Sequence, residues 1–320
     1  MNRSEFSRLA KPVQDFFNSM GPNDLPKLGK MSPNDARNAY RQVGENLGGE
    51  SVAIELVEDL HAKGPAGLIP IRIYRSKIEH SGDIPVIVYL HGGGWMWGDL
   101  DSHDKICRRL AHCSGCAVVA VDYRLAPEHP ALAASDDVIA AIFWLYGCAK
   151  ELGLNKQKIA IAGDSAGGNL AAIACQQLRD SHIQLKAQVL FYPATDLTPE
   201  SDSFQSRQEN GAIPPLPLEA IHFASQTYLS GFDAYDPRVS PLQNSNLQGL
   251  PPALFIVGDC DVLLDDSKHY ARALKDAGNK ADYVEVSGMI HGFIEMAGIF
   301  HAAIDAIEQA SSFLKNHLQS

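Results

Sequence analysis

The stretch Ile159-Ala160-Ile161-Ala162-Gly163-Asp164-Ser165-Ala166-Gly167-Gly168-Asn169-Leu170 constrains the fold more than any other part of the chain. Its apolar start suits a short buried strand. Gly-Asp-Ser-Ala-Gly then makes a turn, and Asn169-Leu170-Ala171-Ala172-Ile173-Ala174 opens a helical run. A serine therefore stands at the apex of a sharp strand-to-helix turn. Gly163 and Gly167 flank it, and without side chains they let strand and helix pass closely. A turn of this kind lifts a serine hydroxyl clear of a sheet edge, as a nucleophile requires.

Around this stretch, apolar runs alternate with helical patterns. Runs at 84–90, 117–123, 158–162, 187–192, 253–257 and 283–286 read as strands buried on both faces. Helical patterns at 102–113, 133–152, 167–179, 265–277 and 298–317 separate most of them. Ahead of these, 51–60 and 68–75 alternate with a period of two and predict an antiparallel pair around Lys63-Gly64-Pro65-Ala66-Gly67. The fold class expected is α/β: an eight-stranded, mostly parallel sheet with helices on both faces.

Two segments break the rhythm. Phe6, Leu9, Val13, Phe16, Phe17 and Met20 form one apolar helix face, ended by Gly21-Pro22, and Ser32-Pro33 starts a second helix. Later, about sixty residues separate the runs at 187–192 and 253–257, and a structureless loop of that length is improbable in a compact domain. Within it, 196–211 is polar, Pro214, Pro215 and Pro217 follow, and 218–229 reads as a helix. This insertion is expected over the C-terminal strand ends, where open α/β sheets bind ligands. The division expected is a catalytic domain of 49–195 and 237–320, with 1–48 and 196–236 as a helical cap or lid.

Net charge across the 320 residues is 27 − 38 = −11, which disfavours nucleic acid and anionic membrane surfaces as partners. No apolar run approaches the roughly 20 residues of a membrane span. The start, Met1-Asn2-Arg3-Ser4-Glu5-Phe6, has no continuous apolar signal core, so a cytoplasmic protein is expected. Its six cysteines are then expected as reduced thiols, with Cys113 and Cys116 packing at a helix end.

A serine hydroxyl needs a base within hydrogen-bond reach, and the base needs an orienting carboxylate. After such a turn the chain order is acid, then histidine. His269, His301 and His317 fall in or beside helical patterns. His291, in Ser287-Gly288-Met289-Ile290-His291-Gly292-Phe293, follows the last strand and is the expected base. Asp259 and Asp261 both follow the run at 253–257, and Asp196 follows an earlier one, so position leaves three candidates for the acid. His91-Gly92-Gly93-Gly94-Trp95 follows the strand at 84–90 and can present backbone N–H groups to an oxyanion. The expected donors are Gly93, Gly94 and Ala166.

These motifs resemble those of the hormone-sensitive-lipase-like carboxylesterases, a family of the α/β-hydrolase fold, and within it the bacterial acetyl esterases. The resemblance runs from about Pro85 to Phe293. It is carried by His91-Gly92-Gly93-Gly94-Trp95, Gly98-Asp99-Leu100-Asp101-Ser102-His103-Asp104, Asp122-Tyr123-Arg124-Leu125-Ala126-Pro127-Glu128, Gly163-Asp164-Ser165-Ala166-Gly167-Gly168 and Asp261-Val262-Leu263. It implies Asp261 as the acid, although Val262 stands where the family has proline. It also implies a two-part cap and a small-molecule ester as partner, with self-association as a homodimer left open. Trp95 and Trp97 would narrow a substrate pocket or simply pack. Asp101, His103 and Asp104 read as helix-start and loop-anchoring residues rather than metal ligands, and Arg124 and Glu128 as buried structural partners. Neither metal nor cofactor is expected, because serine hydrolysis needs none. The function implied is a serine esterase for short-acyl esters. The alternatives are a hydrolase of lactones, carbamates or amides, and a non-catalytic receptor on the same fold.

Overall fold

The structure is a computed structural model that describes residues 3–21, 26, 28–77 and 84–319. Eight strands form one sheet: β1 Leu56–Gly64, β2 Gly67–Arg75, β3 Ile84–Leu90, β4 Ala117–Val121, β5 Leu154–Asp164, β6 Gln188–Phe191, β7 Ala253–Gly258 and β8 Ala281–Val286. Their spatial order is β1-β2-β4-β3-β5-β6-β7-β8. Only β2 runs against the others, so the eight-stranded, mostly parallel sheet expected from the sequence is borne out. The β1–β2 turn is tighter than expected, since Gly64 pairs with Gly67 across two residues.

Among the described residues, ten α-helices accompany the sheet: α1 Arg3–Arg8, α2 Lys11–Ser19, α3 Pro33–Leu47, α4 Asp104–Ser114, α5 Ala133–Cys148, α6 Ala166–Leu178, α7 Gln205–Asn210, α8 Leu218–Leu229, α9 Leu264–Asp276 and α10 His301–Gln319. Alternate side chains of β3 enter opposite cores. Val86, Val88 and Leu90 join one with α5, α6 and α9, while Ile87 and Tyr89 join the other with α4 and α10. A third, small cluster of Ala36, Met96, Trp97, Ala126 and Ala224 joins α3 and α8 above the loop after β3.

Two expectations need correction, and one polar segment gains structure. The first apolar face is two helices, because Pro12 has no N–H to donate and its ring excludes a continuous helix back through Arg8. Polar 196–211 contains a 3₁₀ turn, Pro199–Ser203, and α7. Tertiary bonds hold α7: Arg207, nearly buried, bonds both carboxylate oxygens of buried Asp266 at 3.2 and 3.3 Å. Arg124 and Glu128 are not a buried pair. Arg124 grips Asp137, and half-exposed Glu128 meets Arg37. Pro22 of the expected helix stop lies outside the described residues.

The sheet positions its loops through close backbone contact at the central turn. A Cβ built on Gly167 would lie 2.0 Å from the Leu90 carbonyl oxygen, and one on Gly163 would lie 2.4 Å from the Gly167 oxygen. Strand β3 cannot move away without breaking its ladders to β4 and β5. Gly167→Ala is therefore expected to destabilise the fold by at least about 1–3 kcal/mol, read as a fall in thermal midpoint. An unchanged midpoint would show that the close approach is not needed.

Candidate active site

Four loops leave the C-terminal ends of β3, β5, β7 and β8 and converge. The loop after β5 holds Ser165 at φ 53°, ψ −117°, a conformation that costs a non-glycine residue about 1–3 kcal/mol. Backbone bonds fix it: Ser165 N–H donates to Phe191 O, and Asn169 N–H to Ser165 O.

Ser165 Oγ lies 2.9 Å from Nε2 of His291, and Nδ1 of His291 lies 2.8 Å from Oδ2 of Asp261. Asp261 is fully buried, and its Oδ1 accepts the N–H of Leu263. Asn210 of α7 donates to the Asp261 backbone oxygen, so the insertion helps hold this loop. The Tyr192 ring packs 4.6 Å from the imidazole. With Nδ1 donating to the carboxylate, Nε2 is free to accept the serine proton.

The other acid candidates are engaged elsewhere. Asp259 accepts the Gly288 N–H at 2.6 Å and shapes the histidine loop. Asp196 holds Thr198 and Gln243. Burial disfavours protonation of His291, but the charge and hydrogen bond of Asp261 outweigh it and raise its pKa above the usual imidazole value.

Gly93 and Gly94 take φ values of 108° and 59°. Among the described residues, no protein acceptor takes the N–H of Gly93, Gly94 or Ala166. Gly93 and Gly94 line one cavity with Ser165, and Ala166 follows the serine at the first turn of α6, where the helix dipole favours negative charge. Trp95 stacks on Tyr228 at 4.5 Å and donates Nε1–H to Asn169. Asn169 in turn donates to Ala194 and Val239 oxygens, tying the glycine loop to α6.

Ser165, His291, Gly93, Gly94, Trp95 and Trp97 open on one cavity of about 160 Å³. Most of the remaining wall is apolar, including Val43 and Leu47 from α3 and Ile221 and Ala224 from α8. Arg37 ties α3 to the Met96 and Ala126 oxygens, and Arg41 ties it to Asp99.

Under the serine, His103, Asp164 and Glu295 bring one donor atom each within 4.8 Å of the others. No other set of three potential metal donors this close occurs among the described residues. The chain's own hydrogen bonds satisfy Asp164, through Tyr89, Gly92 and His103. Asp101 and Asp104 turn away toward Arg72 and do not join this set. Asn169, Asp164 and Glu295 were not singled out from the sequence. For Asn169 the signal was there: a lone amide in an otherwise small and apolar helical run.

A serine at a strand-to-helix apex, within reach of a histidine and a buried aspartate on an open parallel sheet, defines a hydrolase. Comparison with known proteins agrees. The α/β-hydrolase fold family model matches residues 87–295. The carboxylic ester hydrolase LipN of Mycobacterium tuberculosis is 38% identical over 88% of this chain and 76% of its own length. The ethyl acetate hydrolase of Pseudomonas putida is 34% identical over 90% of this chain and 91% of its own. A hyperthermophilic esterase from the archaeon Pyrobaculum calidifontis superposes with a TM-score of 0.90 at 35% identity, covering 96% of this chain and 98% of that one. The chain belongs to the α/β-hydrolase fold family, among its hormone-sensitive-lipase-like carboxylesterases. Among the described residues no helix is long and apolar enough to cross a membrane.

The geometry predicts the titration of His291. Its imidazole should titrate above about 6.5 by NMR. Among the described residues, Asp261 is the one carboxylate bonded to it, so Asp261→Asn should lower that value. Asp259→Asn should leave it in place. A response to Asp259 instead of Asp261 would contradict the contact.

Proposed function

We propose that this protein is a serine carboxylesterase that hydrolyses short-acyl esters through an acyl-enzyme. Ser165 attacks the ester carbonyl as His291 takes its proton, and Asp261 holds the imidazolium that results. Gly93, Gly94 and Ala166 receive the oxyanion; losing one such donor costs about 3 kcal/mol of transition-state stabilisation. His291 then protonates the departing alcohol. Water, activated by the same imidazole, releases the acid. The steps draw on no metal or cofactor.

The observation that carries this reading is the unbroken hydrogen-bonded chain from Asp261 through His291 to Ser165, ending in a cavity beside unused amides. Short-acyl preference draws on the cavity's size. An apolar cavity of about 150 Å³ holds one benzene molecule, so a space of about 160 Å³ suits a small ester rather than a long acyl chain. The ethyl acetate hydrolase among the relatives accords with this.

Residues 1–48 and 196–236 are read as a two-part cap over the 49–195 and 237–320 catalytic domain. Support comes from α3 and α8, which supply part of the cavity wall. Parts of both segments also brace the acid and histidine loops: Ala10 N–H donates to Gly288 O, and Ser206 Oγ to Val262 O. The cap is thus anchored beside the chemistry rather than hung over it.

Ser165→Ala should lower kcat on a nitrophenyl ester by at least about 10⁴-fold while the protein stays folded. Full activity in that variant would end the proposal. Across acyl chains, kcat/KM should peak between acetyl and butyryl. It should fall at least about tenfold by octanoyl, since each ill-fitting methylene costs roughly 1–3 kcal/mol. A maximum at octanoyl or beyond would refute the short-acyl assignment and leave the esterase assignment standing.

A further inference from the structure

Asp164 joins the serine turn to the glycine loop, yet no step above uses it. Its carboxylate is fully buried. Oδ1 accepts the Tyr89 hydroxyl at 2.7 Å and the Gly92 N–H at 3.1 Å. Oδ2 faces Nε2 of His103 at 3.3 Å. Gly92 directly precedes Gly93, and Asp164 directly precedes Ser165. One carboxylate therefore fixes the spacing between the nucleophile and the amides assigned to the oxyanion. The fit is close: a Cβ on Gly92 would lie 2.2 Å from Oδ2.

The hydrogen bonds around His103 suit a charged ring. Ser102 Oγ accepts the Asp99 N–H at 2.9 Å and donates to the Asp99 oxygen at 3.0 Å. With that proton on the Asp99 oxygen, Ser102 Oγ accepts from Nδ1 of His103, 2.9 Å away. On the other side, Nε2 faces a carboxylate oxygen. Both ring nitrogens then donate, the pattern of an imidazolium. The Gly92 N–H, which also lies 3.3 Å from Nε2, is left to Asp164 Oδ1.

We propose that His103 and Asp164 form a charged positioning pair that locks the glycine loop onto the serine turn and keeps the oxyanion site electrostatically permissive. The proposal rests on the esterase reading and its oxyanion donors. An uncompensated carboxylate beside a developing negative charge opposes the transition state. His103 cancels that charge, and removing it strands a buried anion.

Several other groups face the His103 ring. A Glu295 oxygen lies within 4.8 Å of a His103 nitrogen, Asp99 adds a further negative charge, and the rings of His91, Tyr40 and Tyr89 pack with centroids at 5.6, 6.3 and 6.2 Å. His91 stays neutral, since burial and the neighbouring His103 push its pKa down to about 4. Burial raises the Glu295 pKa, although His103 opposes this. Burial alone would also lower His103, but the charge and hydrogen bond of Asp164 overcome it and raise its pKa to about 9. The sign follows: the pair is intact at neutral pH and lost as pH rises through about 9. Deprotonation of His291 makes it competent as a base, so its own titration supplies no decline with rising pH.

The test is steady-state kinetics of the whole protein on a nitrophenyl ester from about pH 6 to pH 10.5, with His103→Gln, Asp164→Asn and the double variant alongside. In the wild type kcat should fall through about pH 9 with KM little changed. His103→Gln should lose about 10²-fold or more in kcat near pH 8, on the scale of a lost oxyanion donor. Asp164→Asn should be weakened but show no alkaline decline. The double variant, with two neutral amides, should recover at least about tenfold over His103→Gln. A wild-type kcat flat to pH 10.5 overturns the proposal, even if no variant folds. So does a double variant no better than His103→Gln. Should Ser165→Ala abolish activity while these responses fail, the positioning pair falls and the esterase reading survives. Should Ser165→Ala stay fully active, both fall.

Discussion

The geometry of the site depends on a backbone contact: Gly167 on the first turn of α6 lies against the carbonyls that end β3. That contact lets Ser165 stand in a strained conformation above the sheet edge. Its cost of about 1–3 kcal/mol is comparable to the gain from fully burying one or two large apolar side chains. The two cores on either side of β3 supply many such side chains. The strain is tolerable because it sits where the sheet is most constrained, with Ser165, Gly92 and Asp164 all within one residue of paired strand ends or directly bonded to them.

From that point the structure spreads its constraints outward through polar groups buried with partners. Asn169, on α6, binds the glycine loop and the chain on either side of the insertion, at Ala194 and Val239. Arg207 and Asp266 hold α7 against α9, and α7 in turn holds the acid loop through Asn210 and Ser206. Buried ion pairs contribute little net stability, because desolvation offsets attraction. Their value here is geometric: each fixes a loop to within hydrogen-bond tolerance, as the proposed proton relay requires. The cavity, by contrast, is walled largely by apolar side chains, several of them from α3 and α8.

Much of this was legible in the sequence. Strands buried on both faces read as continuous apolar runs, so 84–90 was placed to the residue and all eight strands were found. The serine and histidine stretches carried their own local signals. What could not be read depends on contacts distant along the chain. Asp259, Asp261 and Asp196 share the same turn chemistry, and only the fold shows which one meets His291. The short α7 has no amphipathic period and is held by Asp266, more than fifty residues later. His103 was understood as a loop anchor, but the identity of what it anchors, Asp164, required the sheet to bring the two together.

The central claim is that one hydroxyl, one imidazole and three amides surround a single reacting carbon. A crystal structure of the protein inactivated by an alkyl phosphonate ester tests this most directly, because the adduct imitates the tetrahedral intermediate. The account predicts a covalent bond from phosphorus to Ser165 Oγ. It also predicts the phosphoryl oxygen within about 3 Å of the Gly93, Gly94 and Ala166 nitrogens. An adduct on another residue, or a phosphoryl oxygen pointing away from those amides, would contradict it.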